Sequence, residues 1–271
     1  MAIACSPDGQ TLVAAGPDGS IWWWNLPPQT NSNLLLNSGR AVCFSTDGRF
    51  LVTVKPGEGF ILWDVATCHR AGFIALPPSA GNIKCQTITR DLKTLAIGNT
   101  NGSVEIWNSR TMERERVLYG DDTSVTQLAL PQAGNLVVAV SQRGTVYHRE
   151  GTVRIWGKLD AEPEVFEHCF GPLVTSPDER WLAFRSADAT MNVYDVWNKK
   201  LVGNLDTKTP GWAAMGLSAE KQLLAVGPSG HLVQIWDVGQ RKLLASWHSR
   251  HSSRSSLTFS PDGRTLELSL P

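Results

Sequence analysis

The chain has 271 residues and lacks most of the signatures that would fix a chemistry. It contains no HExxH, no GxSxG and no GxGxxG, which removes the usual zinc-protease, serine-hydrolase and dinucleotide-binding patterns. Neither sign of charge is in excess: 25 Lys and Arg balance 25 Asp and Glu. Nucleic-acid binders usually carry a basic surplus, so no nucleic-acid partner is expected. No apolar run approaches the roughly 20 residues of a membrane span, and no membrane association is expected. The opening "MAIACSPDG" has neither a charged n-region nor an apolar h-region, so no signal peptide is expected. Five cysteines, Cys5, Cys43, Cys68, Cys85 and Cys169, form no CxxC pair and sit mostly in strand-like apolar runs. They are expected to be reduced, buried thiols in a cytoplasmic protein.

Ligand-like clusters are equally sparse. "CHR" at Cys68 and "EHC" at Glu167 lie about 100 residues apart and do not make the four-ligand set of a structural zinc site. "GTVRIWGKL", Gly151 to Leu159, has one residue too many between its glycines for a phosphate loop and no Ser or Thr after Lys158. No metal and no cofactor are expected.

What the chain does have is a period. The turn "SPDG" at Ser6 recurs as "STDG", "TRDL", "PQAG", "SPDE", "SAEK" and again "SPDG" at Ser260. The third residues of these turns are Asp8, Asp47, Asp91, Ala133, Asp178, Glu220 and Asp262, 39 to 45 residues apart. A second marker follows each turn but the last: "IWWWN", "FILWD", "VEIWN", "VRIWG", "NVYDV" and "VQIWD". Between the markers stand short β-type runs such as "TLAIG" and "LLAVG", joined by turns such as "NTNGS" that tolerate positive φ. Each unit therefore gives a strand a before the turn, b after it, c ending at the aromatic, and a more polar d. The fourth unit lengthens its b–c hairpin through "SQRGTVYHREG". Four short strands every 42 or so residues make a propeller blade.

The "SPDG" turns and the strand ends Trp63-Asp64 and Trp236-Asp237 resemble the WD-repeat (Trp-Asp repeat) family of β-propellers, and the resemblance covers essentially the whole chain. It implies an all-β fold, a β-propeller of four-stranded antiparallel blades forming a single domain over 1–271. Six blades are complete and a partial seventh has strands a and b only. The family's buried His–Asp–Ser/Thr–Trp network is poorly matched. Only His248 or His251 lies near the family position, and Asp18, Asp188 and Asn101 alone supply a hairpin carboxylate or its amide substitute. Most blades are expected to hold together by apolar packing. Met1 begins directly at strand a, so either upstream residues donate the closing strands or the seventh blade is thin.

The resemblance implies a non-catalytic, monomeric scaffold for a protein or peptide partner, bound on the face of the d–a and b–c loops. Candidates at or beside the d–a loops are Arg40, Lys84, Phe170, Trp212 and Arg254, because bulky or charged residues there are not needed inside a blade. The same family also supplies sensor modules of larger enzymes such as protein kinases, which is the alternative. A propeller hydrolase would need acidic or His side chains on several inner strands, and the a strands carry none. The basic stretch "HSRHSSRSS" and the charge-alternating "MERERVL" are expected as a solvated loop and a protected outer edge.

Three consecutive tryptophans remain. Strand alternation puts Trp22 and Trp24 on one side and Trp23 on the other. Trp24 aligns with Trp63, Trp107, Trp156 and Trp236, and Trp23 with core aliphatics. Trp22 aligns with Ile61, Glu105, Arg154, Asn192 and Gln234, mostly polar, which suggests a wet position. It is expected to be either an interaction anchor or a plug beside the half-built blade.

Overall fold

The computed structural model describes residues 2–6, 11–15, 20–25, 33–35, 40–55, 57–77, 82–131, 135–144, 149–157, 162–176, 178–207, 214–218, 222–229, 232–249, 256–260 and 263–269. Among them the regular secondary structure is entirely β. Blade 1 is β1 (Ala2–Cys5), β2 (Thr11–Ala15), β3 (Ile21–Asn25) and β4 (Asn33–Leu35), paired in that order. Blade 2 is β5 (Arg40–Phe44), β6 (Phe50–Lys55), β7 (Gly59–Asp64) and β8 (Arg70–Ala75). Blade 3 is β9 (Ile83–Ile88), β10 (Thr94–Asn99), β11 (Val104–Asn108) and β12 (Arg114–Leu118). Blade 4 is β13 (Val125–Ala129), β14 (Leu136–Gly144), β15 (Arg149–Gly157) and β16 (Glu164–Glu167), with the long hairpin anticipated from its sequence. Blade 5 is β17 (Cys169–Thr175), β18 (Trp181–Ser186), β19 (Met191–Asp195) and β20 (Lys200–Leu205). Blade 6 is β21 (Ala214–Leu217), β22 (Leu223–Ser229), β23 (Leu232–Asp237) and β24 (Lys242–His248). Among the described residues, strands β25 (Ser256–Phe259) and β26 (Leu266–Ser269) pair only with each other. Strand β25 touches both β21 and β1, so the ring closes through seven innermost strands.

The turns repeat because their chemistry repeats. In the a–b turn of blade 2, Ser45 Oγ donates to Asp47 Oδ1 at 2.5 Å and accepts from the Phe50 N–H, and the Arg49 N–H donates to Asp47. Thr89 and Asp91, and Ser176 and Asp178, do the same in blades 3 and 5. The next residue is left-handed in each: Gly48, Leu92 and Glu179 have φ of 68°, 60° and 58°. Glycine accepts that conformation without cost, whereas Leu92 and Glu179 each give up about 1–2 kcal/mol to it. The residue after the anchor aromatic caps the c–d turn. Asp64 accepts from the Thr67 N–H, Asn108 from the Arg110 and Thr111 N–H groups, and Asp195 from the Trp197 and Asn198 N–H groups. That is the physical use of the Asp in a Trp-Asp pair.

The core lies between blades. Each anchor faces the preceding blade: Trp107 packs with Val52 and Phe60, Trp156 with Val104 and Ile106, and Trp236 with Met191 and Val193. The residue before the anchor faces the following blade, as Trp23 does against Phe44 and Leu51. In blades 2, 3, 5 and 6 the c–d register shifts just before the aromatic, a bulge that locally re-aims the strand.

The position two residues before the anchor differs from its expected wet character. Ile61, Glu105, Asn192 and Gln234 are all buried, because a strand's alternation places this residue on the anchor's own interface. There it serves the indole: Trp107 Nε1 donates to Glu105 Oε2 at 3.0 Å and Trp236 Nε1 to Gln234 Oε1 at 3.1 Å. In blade 2, Trp63 Nε1 donates across the sheet to Thr53 Oγ1 at 3.0 Å. Glu105 also accepts from Asn99 Nδ2 at 3.1 Å. Blades 2, 3 and 6 thus add side-chain hydrogen bonds to apolar packing. The hairpin substitutes behave as expected where described, with Asn101 holding Ser103 and Asp188 holding Thr190. Asp18 lies outside the described residues.

Two outcomes follow. Glu105→Ala leaves two buried donors short of an acceptor and should cost about 1–3 kcal/mol in guanidinium unfolding, more than an exposed Glu115→Ala control. The Ser45 hydroxyl, then the Arg49 N–H, hold the Asp47 carboxyl below its ordinary pKa of 3.8. The Thr190 hydroxyl, then its N–H, do so for Asp188. Depressed folded-state values stabilise above the unfolded value, and that stability disappears as pH falls through the folded one. Melting temperature should therefore drop below about pH 4, and less steeply in an Asp47→Asn/Asp188→Asn double variant.

Candidate functional site

On the face formed by d–a and b–c loops, blade 4 builds a cavity of about 460 Å³ lined by Asp121, Thr123, Arg143, Arg154, Glu167 and His168, among others. The longer β14–β15 hairpin carries Arg143 to the rim, while Arg154 rises from the c strand inside it. Arg154 Nη2 donates to Asp121 Oδ2 at 3.0 Å, tying the loop after β12 to blade 4, and Thr152 Oγ1 donates weakly to the same oxygen at 3.4 Å. Arg154 Nη1 and Asp121 Oδ1 are buried and make no hydrogen bond among the described residues. The site therefore presents two guanidinium groups, hydroxyls and an unmatched donor and acceptor, a set suited to hydrogen-bonding a peptide or a polar side chain.

A second cavity, about 520 Å³, occupies the channel between inner strands β9, β13 and β17. Gln86, Gln127 and Thr175 line it, and Arg90 and Glu179 lie 3.6 Å apart at its a–b-turn end. Among the described residues no group of three His, Cys, Asp or Glu side chains could hold a metal ion. Burial pushes the Cys85 thiol up to about 12, so it carries no thiolate at neutral pH.

The candidates named from sequence scatter around the ring. Lys84 is exposed near the start of β9. Phe170, near the start of β17, is half-buried with the Arg185 guanidinium 5.3 Å over its ring. They are separated by blade 4. Arg40 begins β5. Trp212 and Arg254 lie outside the described residues. Trp22 is not on this rim at all: it is 39% exposed on the side of blade 1 and stacks on Trp24 at 6.4 Å between ring centroids. Sequence reasoning missed Asp121, Arg143, Arg154 and His168, although the lengthened hairpin marked blade 4 as different.

The geometry defines the class: a β-propeller ring of six four-stranded blades and a two-stranded seventh, with a polar pocket on its loop face. The WD domain, G-beta repeat family matches residues 1–25. The target of rapamycin complex subunit LST8 of Bos taurus is 24% identical over 231 residues, covering 79% of this chain and 69% of that protein. The transcription factor unc-37 of Caenorhabditis elegans is 28% identical over 248 residues, covering 88% of this chain and 33% of that protein. Among solved structures, the Kuenenia stuttgartiensis hydrazine synthase aligns with a TM-score of 0.70 at 17% identity, over 98% of this chain and 91% of that one, a likeness of fold alone. Repeat, blades and matches agree on a β-propeller that is similar to WD-repeat proteins.

If the Arg154–Asp121 pair anchors the loop after β12, Arg154→Met and Asp121→Asn should each lower stability. Because Asp121 is partly exposed, their double-mutant coupling should be no more than about 0.5–1 kcal/mol. Urea unfolding of the four proteins gives the value.

Proposed function

We propose that the protein is a non-catalytic scaffold that binds a protein or peptide partner on the face of the d–a and b–c loops. The observation that carries this reading is the blade 4 pocket, where a buried guanidinium N–H and a carboxylate oxygen have no partner among the described residues, beside exposed Arg143 and His168. Buried groups of that kind are matched in a finished site, and a peptide backbone offers both the acceptor and the donor they lack. One relative is by name a subunit of a complex, which agrees with such a role. A second reading, a docking module within a larger polypeptide, is favoured by the third of unc-37 that this chain spans.

Charge reversal on the two faces tests the proposal. Affinity capture followed by mass spectrometry should recover the partners of the wild-type chain with Lys200→Glu, which lies at a c–d turn. Recovery should fall about tenfold with Arg143→Glu or Lys84→Glu. Equal recovery by all four proteins would remove the loop face from consideration.

A further inference from the structure

A net charge of zero hides a separation of charge around the outer rim. On blade 4 the outer strand and its approach carry Glu162, Glu164 and Glu167, all exposed. On blades 5 and 6 the c–d turns and outer strands, residues 196–205 and 238–248, contain no Asp or Glu. They carry Lys199, Lys200, Arg241 and Lys242 instead, and all four are exposed. The turn does not ask for them. Its left-handed residue is Cys68 in blade 2, Met112 in blade 3, Lys199 in blade 5 and Arg241 in blade 6, with φ of 57°, 57°, 48° and 54°. The residue after it is His69, Glu113, Lys200 or Lys242. The backbone accepts side chains of several kinds at both positions, so the bend alone does not account for the paired cations of blades 5 and 6.

The two turns form one surface, with apolar groups among the cations. Arg241 reaches across from blade 6 and donates to the Val202 carbonyl of blade 5. Trp197 opens the blade 5 turn and is 55% exposed. The Arg180 guanidinium lies 4.9 Å from its ring centroid and 4.6 Å from that of Trp181, and Arg180 Nη2 donates to Asp195 Oδ2 at 3.3 Å. Asp195 in turn accepts from the Trp197 N–H. The indole is thus held by its turn, with one face on a cation and the rest in solvent. Leu243 is 39% exposed. It pairs with Trp236, whose indole faces blade 5, so it lies on this side of blade 6 and not beside β25 and β26. None of these residues lines either cavity. The surface is an outer corner of the disc and not a cleft.

We propose that this corner of blades 5 and 6 is a peripheral attachment site for an anionic membrane surface. Lys199, Lys200, Arg241 and Lys242 meet headgroup phosphates, and Trp197 and Leu243 enter the boundary between headgroups and acyl chains. A plane of negative charge fits long cations on a convex corner, and an indole suits a boundary that is apolar on one side and wet on the other. A peptide fits less well, because a corner gives its anchors no pocket to fill. A nucleic acid offers phosphates but no apolar layer for Leu243. The acidic rim of blade 4 is repelled by the same surface, which fixes the edge of the ring that approaches it. A search for contiguous apolar runs excludes a span and does not detect such a surface, which gathers its residues from two turns one repeat apart. The proposal does not rest on the scaffold reading. The corner belongs to the c–d turns, on the face opposite the blade 4 pocket, so either can fail alone.

The test mixes the whole chain with vesicles of phosphatidylcholine containing about 30% phosphatidylserine, or of phosphatidylcholine alone, and measures bound protein by co-sedimentation. The chain should bind the anionic vesicles, bind the neutral ones far less, and release both as salt rises. Lys199→Gln, Lys200→Gln and Lys242→Gln should each lower the affinity about fivefold, the weight of one cation near such a surface. These side chains are exposed, so the melting temperature should not change. Arg110→Gln removes the same charge from the exposed turn of blade 3 and should change vesicle affinity less than about twofold. Brominated lipid should quench the wild-type fluorescence more than that of Trp197→Ser. Absence of binding to the anionic vesicles would overturn the proposal. Capture of poly-L-glutamate or duplex DNA by the same lysines in that case would assign the corner to a protein or a nucleic acid. Vesicle binding undiminished in the triple lysine variant would overturn it as well.

Discussion

The fold depends on one contact made again and again: the aromatic at the end of strand c, laid against the blade before it. In blades 2 to 6 each such residue is pressed between two sheets, and its neighbour on the strand is pressed the other way. No blade holds a core of its own; cores exist only between blades. A ring built this way is stable in proportion to how many interfaces are complete, in the manner of other repeat architectures. Burying an indole also calls for an acceptor for its N–H, although Trp23 and Trp181 find none among the described residues. Glu105 and Gln234 meet that need from one position on their own strand and Thr53 from the neighbouring strand, with three different chemistries.

That variety explains what the sequence made legible. The period was legible because turns are local. Ser45, Asp47 and the left-handed Gly48 sit within four residues of one another, and their hydrogen bonds need nothing from elsewhere. Strand order followed, since hairpin-linked strands pair in sequence. The partners of the anchors were not legible as such. Glu105 looks like a surface residue until the bend of the sheet and the blade beside it close over it, and only then does its carboxylate meet Asn99 and Trp107. Trp22 changed meaning for the same reason. Its position is an interface position throughout the ring, and it is exposed because of the blade beside it, not because of its own strand.

The blade 4 pocket was hidden by distance along the chain. Asp121 and Arg154 are 33 residues apart, and Glu167 and His168 follow in another loop. No motif joins them; a lengthened hairpin brings them to one rim. Functional residues on loops held by a stiff scaffold are the common case, since the scaffold tolerates change in its connections. The ring thus separates two roles. Inner and middle strands fix the geometry, and the loops between them carry the polar groups of the blade 4 pocket.

Native-state hydrogen exchange gives the most direct measure of this division. If interfaces between blades carry the stability, amides of β10, β11, β18 and β19 should exchange only through global unfolding. Those of β25 should be close behind, because β25 is held by β1 and β21. Outward-facing amides of β26 should exchange orders of magnitude faster than any of these. Protection of the β26 edge equal to that of β10 and β11 in the isolated chain would contradict the account, as would a β25 that exchanges as freely as a loop.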